Sequence, residues 1–155
     1  MDTISRRKML LMMPMVALAT RGLRAQQAQH ADVYKDPTCT CCGKWVAHLQ
    51  REGFAATATD VRDITAIKVK YHVPGKLQSC HTALVGGYVI EGHVPASDVR
   101  RLLKERPKVA GLAVPGMITG SPGMEGPNGK PYDVLAFDPD GKTRVYSTQQ
   151  PLSGA

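Results

Sequence analysis

Asp36-Pro37-Thr38-Cys39-Thr40-Cys41-Cys42-Gly43-Lys44-Trp45 is the stretch on which the reading of the fold turns. Just before it, Ala31-Asp32-Val33-Tyr34-Lys35 reads as a short strand, broken by Asp36-Pro37. Just after it, Trp45, Val46 and Leu49 recur at helical spacing as far as Gly53, a natural stop. The pattern predicts a helix over about residues 42–51, capped by Thr38 or Thr40. Three of the four cysteines therefore fall at a strand-to-helix turn, where the amides of a helix start stabilise a thiolate. The fourth, Cys80, lies far along the chain and is followed directly by His81.

Downstream, residues 54–61 predict a second strand, and Asp63 caps a helix running to about His72, ended by Pro74-Gly75. Residues 82–85 and 88–91 flank Gly86-Gly87 and form the clearest hairpin signal in the chain. A third helix runs from Pro95 to about Arg106, with Val99, Leu102 and Leu103 inward, while His48 reads as a surface histidine. The resulting order, β-α-β-α-β-β-α over residues 31–106, is α/β. Strands separated by a helix call for a right-handed crossover and a parallel pair, and the hairpin adds antiparallel strands. That is the arrangement of a thioredoxin-like core, with cysteines where such a core keeps a reactive pair. Residues 107–131 form a Gly/Pro-rich loop, of a length that goes with function or disorder. Residues 133–137 and 143–147 predict a C-terminal β-hairpin, and residues 149–155 a frayed tail.

The first 25 residues stand apart. Ser5-Arg6-Arg7-Lys8-Met9-Leu10 has the twin-arginine form, and Met9 to Ala19 is an apolar run too short to span a bilayer. Residues 1–25 read as a twin-arginine-type signal peptide, cleaved before Gln26 or, in competition, after Ala19, and residues 26–148 as one exported, periplasmic domain. The leader holds five of the 20 basic and one of the 13 acidic residues, so the remainder carries +3 of the total +7. The basic character is mostly a targeting effect, and no basic stripe with interleaved aromatics suggests nucleic acid. No later apolar run is long enough to cross a membrane.

The cysteines admit two readings. Cys39-x-x-Cys42 has the spacing of a redox dithiol with an extra thiol between, whereas Cys39-x-Cys41-Cys42 offers three soft donors on one turn of backbone. Adjacent Cys41 and Cys42 would pair only through a strained ring, so a purely structural pair of disulfides fits poorly. In a thioredoxin-like core the segment entering the third strand faces the reactive turn. Here that segment is Ser79-Cys80-His81-Thr82, with no proline between Gly75 and His93 to clamp a substrate. A fourth thiol in that place favours a soft metal. Zinc would prefer separated knuckles, while Met117 and Met124, in the Gly/Pro-rich loop, suit Cu(I). His81 and His93 are candidates for an additional ligand or for an outer hydrogen-bond partner. An arsenate-reductase-like chemistry would need an arginine near the cysteine turn, and the sequence places none there.

At Cys39-Thr40-Cys41-Cys42, Ser79-Cys80-His81-Thr82-Ala83, Gly92-His93-Val94-Pro95 and Gly116-Met117…Gly123-Met124-Glu125, the chain resembles a bacterial predicted metal-binding family that includes the CopG copper-resistance proteins. The likeness runs from about Ala31 to Tyr146, with Ile118 where proline is expected. The resemblance implies an exported thioredoxin-like protein that binds copper for copper resistance, with Cu(I)/Cu(II) cycling as one way of doing so. It implies Cys39, Cys41, Cys42 and Cys80 as ligands, Met117 and Met124 as candidates nearby, and a multinuclear copper–thiolate cluster. Copper ions and other periplasmic copper-handling proteins are the expected partners. The alternative is a periplasmic thiol–disulfide oxidoreductase using Cys39 and Cys42.

Overall fold

Residues 28–153 are described by the computed structural model; the leader expected over residues 1–25 lies outside them. Strand β1, His30–Lys35, buries Ala31 and Val33 while Asp32 faces water, the alternation of a strand with one covered face. Helix α1, Thr40–Arg51, buries Cys42, Trp45, Val46 and Leu49, one stripe at helical spacing. Trp45 and Leu49 are fully buried, and each such side chain contributes on the order of 2–3 kcal/mol by leaving water. Strand β2, Ala55–Asp60, returns parallel to β1 with register His30↔Ala55.

Helix α2, Ile64–Lys70, starts at Asp63, whose carboxylate accepts from the Ala66 amide. After a 3₁₀ turn at Gly75–Leu77 come β3, His81–Val85, and β4, Tyr88–Glu91, paired antiparallel around Gly86-Gly87 as the sequence predicts. Helix α3 spans Ala96–Glu105. Then come β5, Gly111–Ala113, and the final antiparallel pair β6, Tyr132–Phe137, and β7, Thr143–Gln149. The molecule is α/β, with a mixed seven-stranded sheet in the order β2-β1-β3-β4-β5-β6-β7 and three helices among the described residues. β1 runs antiparallel to β3, and β4 parallel to β5.

The core divides along the pleat. Val33, Ala83, Ile90, Leu112 and Ala136 join Trp45, Leu49, Val99 and Leu102 in one cluster; Val89, Ala113 and Phe137 join Val73 and Leu77 in the other. Two features depart from expectation. β5 was not anticipated, because its three residues lie in a stretch whose glycines and prolines mask a strand; it links the hairpin β3–β4 to β6 and makes one continuous sheet. The segment from Gln149 onward, expected to fray, is tied down through residue 152. Gln149 ends β7 and donates to Asp98, and the Leu152 amide donates to the Gly120 carbonyl at 2.7 Å. No described helix is long and apolar enough to cross a membrane.

Candidate metal centre

Asp36 shapes the cysteine turn. Its carboxylate takes the Thr38 amide at 2.8 Å and the Thr38 hydroxyl at 2.5 Å, and its carbonyl takes the Cys39 amide at 3.1 Å. Thr38 is thereby committed to the turn and Thr40 is already helical, so neither caps α1. Cys39 occupies the capping position without a side-chain bond. Cys39 and Cys42 are joined as a disulfide, with Cα atoms 5.5 Å apart. Cys41 remains a free thiol, its sulfur 3.5 Å from that of Cys39.

Cys80, the other free thiol, stands just before β3 and faces this turn. The sulfurs of Cys39, Cys41, Cys42 and Cys80 all lie within 4.8 Å of one another. Donors from two distant parts of the chain thus converge, as the sequence suggests. Burial, and then the nearby Cys41, push the Cys80 thiol up to about 11.

Both candidate histidines reach the Cys80 sulfur, His93 through Nε2 at 3.1 Å and His81 through Nδ1 at 3.3 Å. His93 Nδ1 donates to the Pro122 carbonyl at 2.7 Å, which leaves Nε2 as the acceptor for the Cys80 thiol. In a fully extended segment His81 would point to the face opposite Cys80. That geometry assumes a continuous strand, but β3 begins only at His81, so Cys80 lies outside the pleat and the alternation does not apply. His81 is fully buried, 4.4 Å from the Trp45 ring and 5.1 Å from the His93 ring between centroids, and its Nε2 has no hydrogen-bond partner. Burial holds both imidazoles below the ordinary histidine value, His81 well below it.

The Gly/Pro-rich loop packs onto both cysteine segments. The Ser79 hydroxyl donates to the Gly116 carbonyl, and the Gly116 amide donates to Gln78 at 3.2 Å, which places Met117 next to the segment leading into Cys80. Met117 is 57% exposed. Further on, Gly123 lies so close to α1 that a Cβ there would come within 2.8 Å of the Trp45 nitrogen and 3.0 Å of the Cys41 carbonyl. Met124 follows directly and is half-buried. Ile118, the residue in place of the expected proline, packs against the main core.

Two features escaped the sequence reading. His48 is half-buried and not a free surface side chain: its Nε2 accepts the Ala96 amide at 3.2 Å, a bond that serves the start of α3, where Pro95 has no side-chain acceptor to offer. Lys68 and Glu91 form a buried ion pair against the segment that carries Cys80. The available signal was Lys68 standing on the same helical row as Ile64 and Tyr71, a charge on an apolar stripe.

Four sulfurs, two of them thiols and two able to become so on reduction, with two imidazoles behind, form a donor set that suits a soft metal such as Cu(I) better than a hard one. Residues 77–124 match a family described as a protein of unknown function, DUF411; the match takes in Cys80, His81, His93 and both methionines but stops short of the cysteine turn. No curated protein matches the chain. Two solved structures of a copper resistance protein CopG, forms 1 and 2, are 40% and 39% identical to it with TM-scores of 0.75. Each match covers 79% of this chain and 98% of the other. With that identity sustained over almost the entire length of both structures, and the cysteine turn and Cys80 brought together, the chain belongs to the CopG copper resistance family.

Proposed function

We propose that the protein is an exported, periplasmic copper-binding protein that holds Cu(I) for copper resistance through Cys39, Cys41, Cys42 and Cys80. Met117 and Met124 serve as further thioether donors, and His81 and His93 as partners of Cys80. The observation that carries this is the convergence of four sulfurs within 4.8 Å. Thiolates so close can bridge more than one Cu(I) ion, and cycling between Cu(I) and Cu(II) is a natural extension for a site with both sulfur and imidazole donors. A thioredoxin-like core is supported by the order β2-β1-β3-β4, with β1 parallel to β2 and antiparallel to β3. Export by the twin-arginine route rests on Arg6-Arg7 and the short apolar run behind them.

The test is an anaerobic Cu(I) titration of the reduced protein against its Cys41→Ser variant. Loss of bound copper and of affinity is expected. Unchanged stoichiometry and affinity would count against the reading, because a simple dithiol has no use for Cys41.

A thiol–disulfide oxidoreductase is the second reading, favoured by the Cys39–Cys42 disulfide. Against it, Cys80 stands where such enzymes place a substrate-clamping proline, and the sequence has no proline between Gly75 and His93. Metal-free turnover of a model disulfide that survives loss of Cys41 and Cys80 would favour it over copper binding.

A further inference from the structure

Cys80 stands immediately outside the sheet, so the backbone ladder of β3 does not fix it. A side chain does that work from below. Glu91, fully buried at the end of β4, presents both carboxylate oxygens to the chain around Cys80. Its Oε1 accepts the Ser79 amide at 2.6 Å, one residue before the cysteine. Its Oε2 accepts the Thr82 hydroxyl at 2.6 Å, two residues after it. Lys68, 3% exposed on α2, pairs with Oε1 and also donates to the Thr82 hydroxyl at 3.2 Å.

Such a buried pair adds little stability by itself, since the cost of taking two charges out of water offsets most of their attraction. What it supplies is geometry. The charged acceptor makes strong, directional bonds on both sides of one residue. The same segment of chain also carries His93, two residues beyond Glu91, to the Cys80 sulfur. Gly92 between them has φ +70°, and a Cβ there would fall 2.6 Å from both the Ser79 hydroxyl and the Val114 carbonyl. Residues 91–93 can approach this closely only with glycine in the middle.

We propose that Glu91, with Lys68 as its counter-ion, is a positioning residue for Cys80, gripping the chain on both sides of that cysteine and setting where its sulfur stands against the Cys39–Cys42 turn. The proposal deepens the copper reading, but its first test needs no metal. With the Cys39–Cys42 disulfide closed, Cys41 and Cys80 are the two free thiols, and their sulfurs lie within 4.8 Å. Dibromobimane, which fluoresces when it bridges two neighbouring thiols, reads their separation.

The variants are Lys68→Met with Glu91→Leu, which removes both charges together and so avoids a lone buried ion, and the milder Thr82→Val, which removes one of the gripping bonds. For the double variant, folded by circular dichroism, the bridging rate is expected to fall about tenfold, with a similar loss of Cu(I) affinity, the scale seen when outer partners of a ligand are removed. Thr82→Val is expected to move both readouts in the same direction by less. A folded variant that bridges its thiols at the parent rate would overturn the positioning role, whatever its copper affinity. If the double variant does not fold, Thr82→Val decides alone, and an unchanged bridging rate there overturns the proposal. A parent protein that bridges rapidly yet fails to take up Cu(I) would instead remove the copper reading and leave the positioning of Cys80 standing.

Discussion

His93 holds the Cys80 sulfur 3.1 Å from its Nε2 while its Nδ1 donates to the Pro122 carbonyl. One imidazole thereby couples the thiol just before β3 to the Gly/Pro-rich loop, and its tautomer is fixed by a carbonyl that can only accept. The ring is fully buried, as is His81 beside it. Without metal, Cys80 is a half-buried, hydrogen-bonded thiol.

That environment predicts a particular pH dependence. Burial and the neighbouring Cys41 raise the Cys80 thiol to about 11. The thiolate is the nucleophile, so in the metal-free, disulfide-closed protein the alkylation of Cys80 by iodoacetamide should be slow at neutral pH. The rate should rise about tenfold per pH unit to beyond pH 10. Mass spectrometry of the Cys80 peptide follows it, and a rate that levels off near pH 8.5 would contradict the expectation.

The Cys39–Cys42 disulfide predicts redox-dependent copper capacity. With it closed, two of the four converging sulfurs cannot act as thiolates. The oxidised protein should bind at most about half the Cu(I) of the reduced protein, with weaker affinity, and prior reduction should restore both. Cys39→Ser with Cys42→Ser should behave like the oxidised form under reducing conditions. Equal Cu(I) uptake by oxidised and reduced protein, measured against a chromophoric competitor, would remove these two residues from the ligand set.

The elements that carry the site were legible because they rest on short-range patterns. Trp45, Val46 and Leu49 mark α1, Gly86-Gly87 marks the hairpin, and the cysteines mark the turn between β1 and α1. The convergence of Cys80 on that turn was also readable, because the order of elements fixes which segments face each other. What escaped depends on contacts between residues distant in sequence. Nothing near His48 indicates that its ring will meet the Ala96 amide 48 residues away. The Lys68–Glu91 pair joins a helix to a strand across 23 residues. The direction of His81 relative to Cys80 was open in the sequence, because alternation holds only inside a strand and Cys80 lies just outside β3.

Close approach at two glycines predicts a stability cost with a functional sign. Gly92→Ala and Gly123→Ala each place a methyl group within 3.0 Å of backbone or of the Ser79 side chain, and both positions have positive φ, +70° and +86°. Each should lose roughly 1–3 kcal/mol in urea unfolding. Gly92→Ala should also slow the bridging of Cys41 and Cys80, because it pushes residues 91–93 away from Ser79. Gly123→Ala should instead loosen residues 120–124 from α1, read as faster proteolysis of the loop. Parental stability in either variant would mean that the packing there is not as tight as these distances indicate.

Acid sensitivity follows from the buried imidazoles. Burial first, then His93 and Lys68 nearby, hold His81 well below 6.5, and burial lowers His93 and His48 as well. A histidine that stays neutral in the folded chain but protonates near pH 6.5 when unfolded gives the unfolded state more bound protons as pH falls. Stability should therefore be flat above about pH 7 and fall between pH 6.5 and 5, a window above the range in which ordinary carboxylates titrate. His81, held lowest of the three, should account for the largest share of the loss. His93 and His48 act in the same direction. Urea midpoints of the metal-free protein at pH 7, 6 and 5 measure the effect, and His81→Gln should flatten most of the slope even if it lowers the stability at pH 7. A parent protein whose midpoint does not change across that window would show that the three rings are not held neutral by the fold.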